Sequence, residues 1–413
     1  MTNPVDAPTS QPELRRAIGL PLLVLYGLGI TIGAGIYVLI GAAADQAGMF
    51  APSAFLFAAF VMAFSALSFA EFSGRIPQAA GEAVYVEAAF NWNWLTLVTG
   101  LLIVFSATVA GSAISLGSAG YVAVLLPLPQ PVIVSVIIIS MGLIAAKGIR
   151  ESVMFAGILT VIEIIGLLLI IGAGFLKDPT MLLDISASIP SMGDSAAMVG
   201  VLSASLIAFF AFIGFDDVVN LVEETKNPTK TMPWAIIISL VAVTVIYFLV
   251  VYVAVRAVPI PDLVASEAPV GLLFERLTGM SPLAITVIAI VATMNGVVIE
   301  IIMAARVVYG LGRKGRLPDW LCRVNPTTQT PLNATVLITI SMLAAALFVP
   351  LDDLVEWTSK IILFVFALVN LALLIVKWRA DPAPEGIFTV WAIVPLIGLV
   401  TCLFLLFAPY FVV

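Results

Sequence analysis

The 413-residue sequence contains no histidine, and it has only two cysteines, Cys322 and Cys402. Two cysteines that distant form neither a disulfide framework nor a metal-ligand spacing. Without histidine, proton chemistry near neutral pH must use carboxylates, lysine or tyrosine. An embedded enzyme would need a nucleophile with its base, or a metal centre. Since neither pattern is present, the sequence predicts no enzyme, no cofactor and no structural metal.

Charged residues are also scarce. Only 10% of the residues are charged, whereas about 25% are charged in soluble domains. The hydrophobic share is 62%, against about 45–50% in soluble domains. So few polar residues could not cover the surface of a soluble fold. The net charge of −7, with no basic patch, argues against nucleic acid as a partner. The sequence therefore describes an integral membrane protein.

Long apolar runs predict a multi-pass, all-α membrane protein. A bilayer core of about 30 Å needs about 20 apolar residues in a helix, and a β-barrel would show short alternating segments. Residues 1–14 are polar and predict a cytoplasmic tail without a cleavable signal peptide. The third span could continue to about residue 124. The eleven predicted spans are 19–42, 52–73, 83–110, 131–147, 153–175, 196–223, 232–256, 281–311, 333–350, 356–378 and 388–411.

The basic residues between the predicted spans lie mostly on one side. Thirteen lysines and arginines, beginning with Arg15 and Arg16, fall on the side of the N-terminus. Only Lys177, Arg256 and Arg276 fall in loops on the opposite side. This bias predicts a cytoplasmic N-terminus. The expected location is a bacterial-type inner (cell) membrane.

Two spans contain features that ordinary membrane anchors lack. The first has four glycines between residues 27 and 35, and the sixth has Gly214 followed by Asp216 and Asp217. Irregular backbone at membrane depth is stable only where it lines a cavity, and helix ends there attract ions. Because these spans hold the same rank in two five-helix halves, the sequence predicts breaks in both. For the glycines of the first span, close helix packing is the alternative.

Four segments carry a resemblance to the amino acid–polyamine–organocation (APC) transporters, and to their cationic amino acid transporter-like branch. They are GLGITIGAGIYVLIG (27–41), FAEFSGRIPQAAGEAVYVEAAF (69–90), FFAFIGFDDVVNLVEETKNPTKTMP (209–233) and RVVYGLGRKGRLPDWLCRVNPTTQTP (306–331). The resemblance implies a single transporter domain, 1–413, with a LeuT-type 5+5 inverted repeat. The repeats would be 15–175 and 196–379, followed by an extra helix at 388–411. The family usually has twelve helices, whereas eleven are predicted here.

The resemblance also implies a substrate site between the first and sixth spans. The substrate carboxylate would bind backbone N–H groups of Gly33, Ala34 and Gly35. Phe210 matches the aromatic lid of the family, and Phe212 is a second gate candidate. The substrate amine would meet backbone carbonyls around Ile30, Thr31, Phe210, Ala211 and Ile213.

Glu163 is the most informative charged residue, because it lies in the middle of the fifth span without a basic residue within two turns. An ionisable group inside a span is a functional candidate. In similar transporters this position is often lysine. The Glu163 carboxyl could bind the coupling proton, could ligate sodium together with Thr293 and Asn295, or could be structural. Asp216 is the next coupling candidate, with capping of the broken helix as its alternative.

Other acidic residues receive simpler interpretations. Glu71 and Glu82 flank the cytoplasmic end of the second span near Arg75, which predicts an ion-pair cluster. Glu356 and Lys360 have the i,i+4 spacing of a local pair. No role is assigned to Glu300 or Asp217.

These features predict a secondary transporter. A channel would need a continuous polar stripe, and no nucleotide-binding loop is present. The predicted activity is proton-coupled uptake of a small or medium neutral amino acid by a monomer or weak homo-oligomer. The alternative is sodium-coupled transport or exchange of a cationic amino acid or polyamine. A subunit or sensor that keeps the fold without transporting is a further alternative.

Overall fold

The computed structural model describes residues 16, 18–78, 81–147, 150–191, 193–325, 328 and 330–411. The predicted tail 1–14, Arg15 and the side chain of Ala34 lie outside this description. The longer elements of the described chain are helices: α1 (Leu20–Ala47), α2 (Ala51–Arg75), α3 (Gly81–Phe90), α4 (Asn93–Leu125), α5 (Gln130–Lys147), α6 (Arg150–Lys177), α7 (Ser195–Phe212), α8 (Pro228–Ala257), α9 (Ile260–Ala265), α10 (Pro269–Thr278), α11 (Leu283–Arg313), α12 (Leu332–Phe348), α13 (Leu351–Trp378) and α14 (Ile393–Phe411). Short 3-10 helices lie at Gly48–Phe50, Pro179–Leu182, Ile185–Ser188, Asp217–Glu224 and Asp319–Leu321.

The helices have the length and apolar composition of an integral membrane protein. Within the described residues, eight helical stretches are long and apolar enough to cross a bilayer. Shorter apolar helices include Leu332–Phe348 and Ile393–Ala408. Many large apolar side chains on these helices are exposed, among them Trp378 and Leu176. A surface of this kind is stable against lipid, where no water must be displaced.

The third predicted span consists of two helices rather than one. Asn91, between α3 and α4, has φ 52°, which is a left-handed conformation that asparagine tolerates better than most residues. The predicted start of this span is therefore wrong. Its predicted continuation is confirmed, because α4 runs to Leu125.

The break predicted in the first span is also wrong, because α1 is one helix from Leu20 to Ala47. Its glycines instead allow close approach of neighbouring helices. A Cβ atom on Gly29 would lie 2.0 Å from the Thr160 Oγ1 atom, and one on Gly35 would lie 2.2 Å from the Cα atom of Ala211. Each glycine costs about 1 kcal/mol of helix propensity, and the packing it permits offsets that cost. At Gly29 and Gly35 the structure therefore supports the alternative interpretation, in which the glycines allow close helix packing.

The break predicted in the sixth span is confirmed. Helix α7 ends at Phe212, and the chain continues through irregular backbone into the 3-10 helix Asp217–Glu224. Gly214 has φ 128°, and a Cβ atom there would lie 2.4 Å from the Ile30 Cγ2 atom. Only glycine has this backbone freedom and this small size. The break is therefore fixed against the middle of α1.

The core of the molecule surrounds α1, which packs against α6, α7, α8 and α11. The short helices α9 and α10 lie at the C-terminal end of α1. A Cβ atom on Gly41 would lie 2.6 Å from the carbonyl oxygen of Leu263 in α9. Tyr121 of α4 donates a hydrogen bond to the carbonyl oxygen of Tyr37 in α1. These contacts hold the end of α1 that the charge bias predicts to face outward.

Candidate substrate site

The break after α7 meets the middle of α1, and one tyrosine lies across the junction. The Tyr247 hydroxyl of α8 is 2.5 Å from the carbonyl oxygen of Thr31 and 3.0 Å from that of Ala211. A hydroxyl has one proton, so it donates to one of these carbonyls at a time. The Tyr247 side chain is fully buried. Sequence reasoning missed this role, because a tyrosine within an apolar span is ordinary.

A small cavity lies beside this junction, with about 10 Å³ of free space, roughly the room of one water molecule. Five of the residues predicted for the substrate site contribute to its wall, namely Ile30, Thr31, Gly35, Phe210 and Ile213. The remaining lining residues are Ala110, Ile114 and Glu300. The structure therefore brings most of the predicted site together around one space.

The other predicted site residues lie close by but do not line the cavity. A Cβ atom on Gly33 would lie 3.0 Å from the carbonyl oxygen of Ala292, so Gly33 packs against α11. Ala211 packs against Gly35 through its Cα and Cβ atoms. Because α1 is continuous, its N–H groups near Gly33 lie within a helix rather than at a helix end.

Of the two predicted gate residues, only Phe210 lies in a cavity wall. Phe210 also borders a second, closely packed region whose lining residues are all apolar. Phe210, like Ile114, therefore borders both this apolar region and the cavity lined by Glu300. Phe212 is instead packed in the core, with its ring centroid 5.1 Å from that of Tyr247 and 6.4 Å from that of Phe55.

Glu163 is completely buried in α6, as its position in the span predicts. Within the described structure, neither carboxyl oxygen of Glu163 has a hydrogen-bond partner. The Asn295 side chain is a neighbour of this carboxyl, but the Asn295 amide nitrogen has no hydrogen-bond partner either. The two side chains therefore do not form a hydrogen bond with each other. The Thr293 hydroxyl donates to the carbonyl oxygens of Ala289 and Ile290, at 2.8 and 3.0 Å. An ionised carboxylate without a partner is costly in such surroundings, so this site suits a bound proton or cation.

Asp216 supports the broken backbone. Its Oδ1 atom accepts a hydrogen bond from the Gly214 N–H at 3.0 Å. This is a local carboxylate–backbone contact of the kind expected from a residue that stabilises a turn. Asp217 differs, because its Oδ2 atom is buried without a hydrogen-bond partner.

The predicted ion-pair cluster at the end of α2 contains Glu71 but not Glu82. The Glu71 carboxylate accepts hydrogen bonds from Arg75 Nε and Lys377 Nζ, both at 2.8 Å, and from the Val390 N–H at 2.7 Å. Glu82 faces away from this cluster and interacts electrostatically with Asp216. The prediction for Glu82 is wrong because α3 turns this residue into the core, where it is 2% exposed.

Four buried carboxyl groups lie close enough for their charges to interact: Glu82, Asp216, Asp217 and Glu300. Burial, and then the neighbouring Asp216 carboxyl, raise the pKa of Glu82, which lies outside the apolar spans. We call these four groups the carboxyl cluster. No group of three or more His, Cys, Asp or Glu residues in the described structure could hold a metal ion. The carboxyl cluster is therefore not a preformed metal site.

The family model described as "Amino acid permease" matches residues 18–413. The chain belongs to the amino acid permease family. This confirms the resemblance to the APC transporters and identifies the chain as a transporter rather than an enzyme. The all-helical, apolar fold and the central helix break are consistent with that membership.

Relatives within this family carry different kinds of substrate. The branched-chain amino acid permease BcaP of Bacillus subtilis is 29% identical in an alignment of 432 positions that covers 97% of this chain and 90% of BcaP. The cationic amino acid transporter 3, mitochondrial, of Arabidopsis thaliana is 29% identical over 90% of this chain and 64% of its own length. The methylthioribose transporter of Bacillus subtilis is 28% identical over 98% of this chain and 90% of its own length. These names support amino acid transport as the general activity.

Proposed function

We propose that this permease is a proton-coupled secondary transporter that takes up a small or medium neutral amino acid by alternating access. The observation that carries the proposal is the cavity at the junction of α1 with the break after α7. Broken helices at the middle of a membrane protein are the sites where secondary transporters bind substrates and coupling ions. The relatives support an amino acid as the substrate.

The proposed substrate pose follows the polarity of the two helices. The carbonyl end of α7, at Phe210, Ala211 and Ile213, carries the negative end of the helix dipole and suits the substrate ammonium. The carbonyls of Ile30 and Thr31 lie on the facing side. The substrate carboxylate would bind N–H groups of Gly33, Ala34 and Gly35. Since these belong to a continuous helix, the contact requires local opening of α1 when the substrate binds, which glycine permits.

The architecture that we propose is the LeuT-type 5+5 inverted repeat, with eleven spans. The first repeat would contain α1, α2, α4, α5 and α6, and the second α7, α8, α11, α12 and α13. The glycine-rich α1 and the broken α7 then hold corresponding ranks, and α14 is the extra helix. The charge bias of the loops supports a cytoplasmic N-terminus in an inner membrane.

Glu163 is the proposed coupling residue. The apolar burial and missing partners of its carboxyl favour proton binding, and release of that proton would leave an uncompensated charge that biases one state of the gate. Sodium bound by Glu163, Thr293 and Asn295 is the alternative. Glu300 in the cavity wall favours a second candidate substrate class, the cationic amino acids or polyamines.

Transport by the purified full-length chain in proteoliposomes tests these proposals. The panel of labelled probes contains alanine, leucine, serine, arginine and putrescine, each with and without an inward proton gradient or sodium gradient. We expect leucine or another neutral member to accumulate with the proton gradient. Accumulation of arginine or putrescine alone would support the second candidate. If no panel member moves by uptake or counterflow, transport of an amino acid is disproved for this panel and the non-transporting alternative is favoured.

A further inference from the structure

The carboxyl cluster joins three separate parts of the chain. Glu82 comes from the first turn of α3, Asp216 and Asp217 follow the break after α7, and Glu300 comes from the middle of α11. All four are at least nine-tenths buried, with 2, 4, 3 and 5% of their surface exposed, respectively. No short-range sequence pattern brings these groups together, so their proximity is a property of the fold.

Three of the four carboxyl groups have an oxygen atom without a hydrogen-bond partner: Glu82 Oε2, Asp217 Oδ2 and Glu300 Oε2. Nearby, the Tyr85 hydroxyl and the Asn220 amide nitrogen also have no partner. A buried polar atom without a partner costs about 1–3 kcal/mol, and more if it is charged. These carboxyl oxygens are therefore able to bind a proton or another cation.

The charges that act on Glu82, Asp217 and Glu300 come from other carboxyl groups of the cluster. Arg75 at the end of α2, and Lys377 of α13, pair with Glu71. Like charges that are buried together cannot all ionise. A cluster with this composition must hold protons or another cation, and the described residues form no metal-binding group.

The members of the cluster come from different places relative to the substrate cavity. Glu300 lines the substrate cavity together with Ile30 and Thr31. Glu82 belongs to the short helix α3, outside the apolar spans, and α3 packs through Tyr85 on Phe72 near the end of α2 that is predicted to be cytoplasmic. Asp216 and Asp217 link Glu82 and Glu300, because each aspartate interacts electrostatically with both of them.

We propose that Glu82, Asp216, Asp217 and Glu300 form a proton-binding site that connects the substrate cavity with the cytoplasmic side of the permease. A proton from water in the cavity binds a carboxylate oxygen of Glu300, passes between carboxyl oxygens of the cluster, and leaves from Glu82 to cytoplasmic water. No electron moves, and each transfer breaks one O–H bond as it forms another. This inference rests on the proposed function, because it names the path of the coupling proton.

The test uses Glu82→Gln and Glu300→Gln, since glutamine resembles a protonated carboxyl but exchanges no proton. With one proton per substrate, a gradient of one pH unit supports about tenfold accumulation. We expect each variant to lose this accumulation in proteoliposomes while exchange of the same labelled amino acid persists in Glu82→Gln, which lies away from the cavity. Glu356→Gln is the matched control, because Glu356 pairs with Lys360 at an exposed site. It should accumulate substrate like the wild type.

An infrared measurement on the purified protein tests the site without transport. We expect a carbonyl-stretch band from protonated carboxyl groups at neutral pH. In Glu163→Gln the band should lose only the contribution of Glu163, and in the Glu163→Gln background Glu82→Gln or Glu300→Gln should weaken it further. Wild-type accumulation in both cluster variants, or a band that neither substitution weakens, would overturn the proposal. If the wild type accumulates no panel member, the proposed function fails, and the infrared band still decides whether the cluster binds protons.

Discussion

Tyr247 illustrates how a single hydroxyl can couple the two helices of the site. It lies within hydrogen-bond distance of the backbone carbonyls of Thr31 in α1 and Ala211 in α7, both beside the cavity, and donates to one of them at a time. Because a hydroxyl cannot satisfy both acceptors at once, any opening between α1 and α7 changes its hydrogen bonds. The Tyr247 hydroxyl is thus placed to sense separation of these helices.

Tyr247→Phe should lower the free energy of unfolding by about 0.5–1.5 kcal/mol, because one net hydrogen bond is lost. It should also weaken substrate binding, since the junction that lines the cavity loses its fixed geometry. Thermal unfolding and substrate affinity of the purified variant measure both effects. Tyr252→Phe is the control, because the Tyr252 hydroxyl bonds the carbonyl oxygen of Met181 at 2.6 Å, away from the cavity. Equal affinities in the two variants would contradict this role for Tyr247.

Glu163→Gln tests the coupling residue. Glutamine imitates the protonated carboxyl, so the variant should keep exchange but lose accumulation driven by a proton gradient. A sodium-coupled carrier would instead lose sodium-dependent binding. Uptake in proteoliposomes measures the difference, with Glu356→Gln as the control. Wild-type accumulation by Glu163→Gln would show that this residue is structural.

At the scale of elements, the contact between α1 and α7 depends on the size of one residue. A Cβ atom on Gly35 would lie 2.2 Å from the Cα atom and 2.3 Å from the Cβ atom of Ala211. Backbone cannot give way as a flexible side chain does, so the two helices would have to separate. The glycines of α1 therefore set the width of the site by packing.

Gly35→Ala should destabilise the protein by about 1–3 kcal/mol, the usual cost of overpacking, and should weaken substrate binding. Gly172→Ala in α6 is the control, because a Cβ atom there meets nothing within 4 Å. That control should be neutral or stabilising by up to about 1 kcal/mol, since alanine favours a helix more than glycine does. The comparison is made by thermal unfolding. A Gly35→Ala protein as stable as Gly172→Ala would show that α1 and α7 can move apart at little cost.

At the scale of the whole molecule, an ion-pair network joins α3 to the end of α11. Glu87 accepts hydrogen bonds from Lys314 at 2.6 Å and from Arg316 at 2.5 Å, and Arg316 also contacts the Asn93 side chain at 3.3 Å. The same two helices carry Glu82 and Glu300 of the carboxyl cluster. The network therefore holds together the elements between which the proposed proton path runs.

This network should depend on pH in a defined direction. Partial burial acts to raise the pKa of Glu87, but the hydrogen bonds and charges of Lys314 and Arg316 outweigh it, so the pKa is lowered. A group with a lowered folded-state pKa contributes stability above its unfolded pKa of about 4.3 and loses it as pH falls through the folded value. The contribution is therefore complete at pH 7.

We expect the melting temperature of Glu87→Gln to lie below that of the wild type at pH 7 and to approach it in acid. The difference should correspond to about 0.2–1 kcal/mol, as for other partly exposed ion pairs. Glu267→Gln, at an exposed position in the loop between α9 and α10, serves as the control. A constant difference between wild type and Glu87→Gln across this pH range would contradict the assignment.

The sequence by itself determined the class of the protein, the approximate place of most long apolar helices, the break at Gly214 and the isolation of Glu163. These features depend on local composition, because transfer of a segment into the bilayer is a sum over its own residues. The break at Gly214 is also a local feature, because a glycine followed closely by Asp216 and Asp217 disfavours a helix without help from distant contacts.

Only the tertiary structure decided which residues meet. From the sequence alone, the glycines of α1 fit either a helix break or close packing of helices. In the structure, Thr160 and Ala211 approach Gly29 and Gly35 so closely that a Cβ atom would not fit, and this supports packing. Glu82 is close in sequence to Arg75 but lies beside Asp216, and Glu300 gained a role only from the cavity. Partners of a buried polar group come from anywhere in the chain, because the fold rather than the local sequence sets the distance between them.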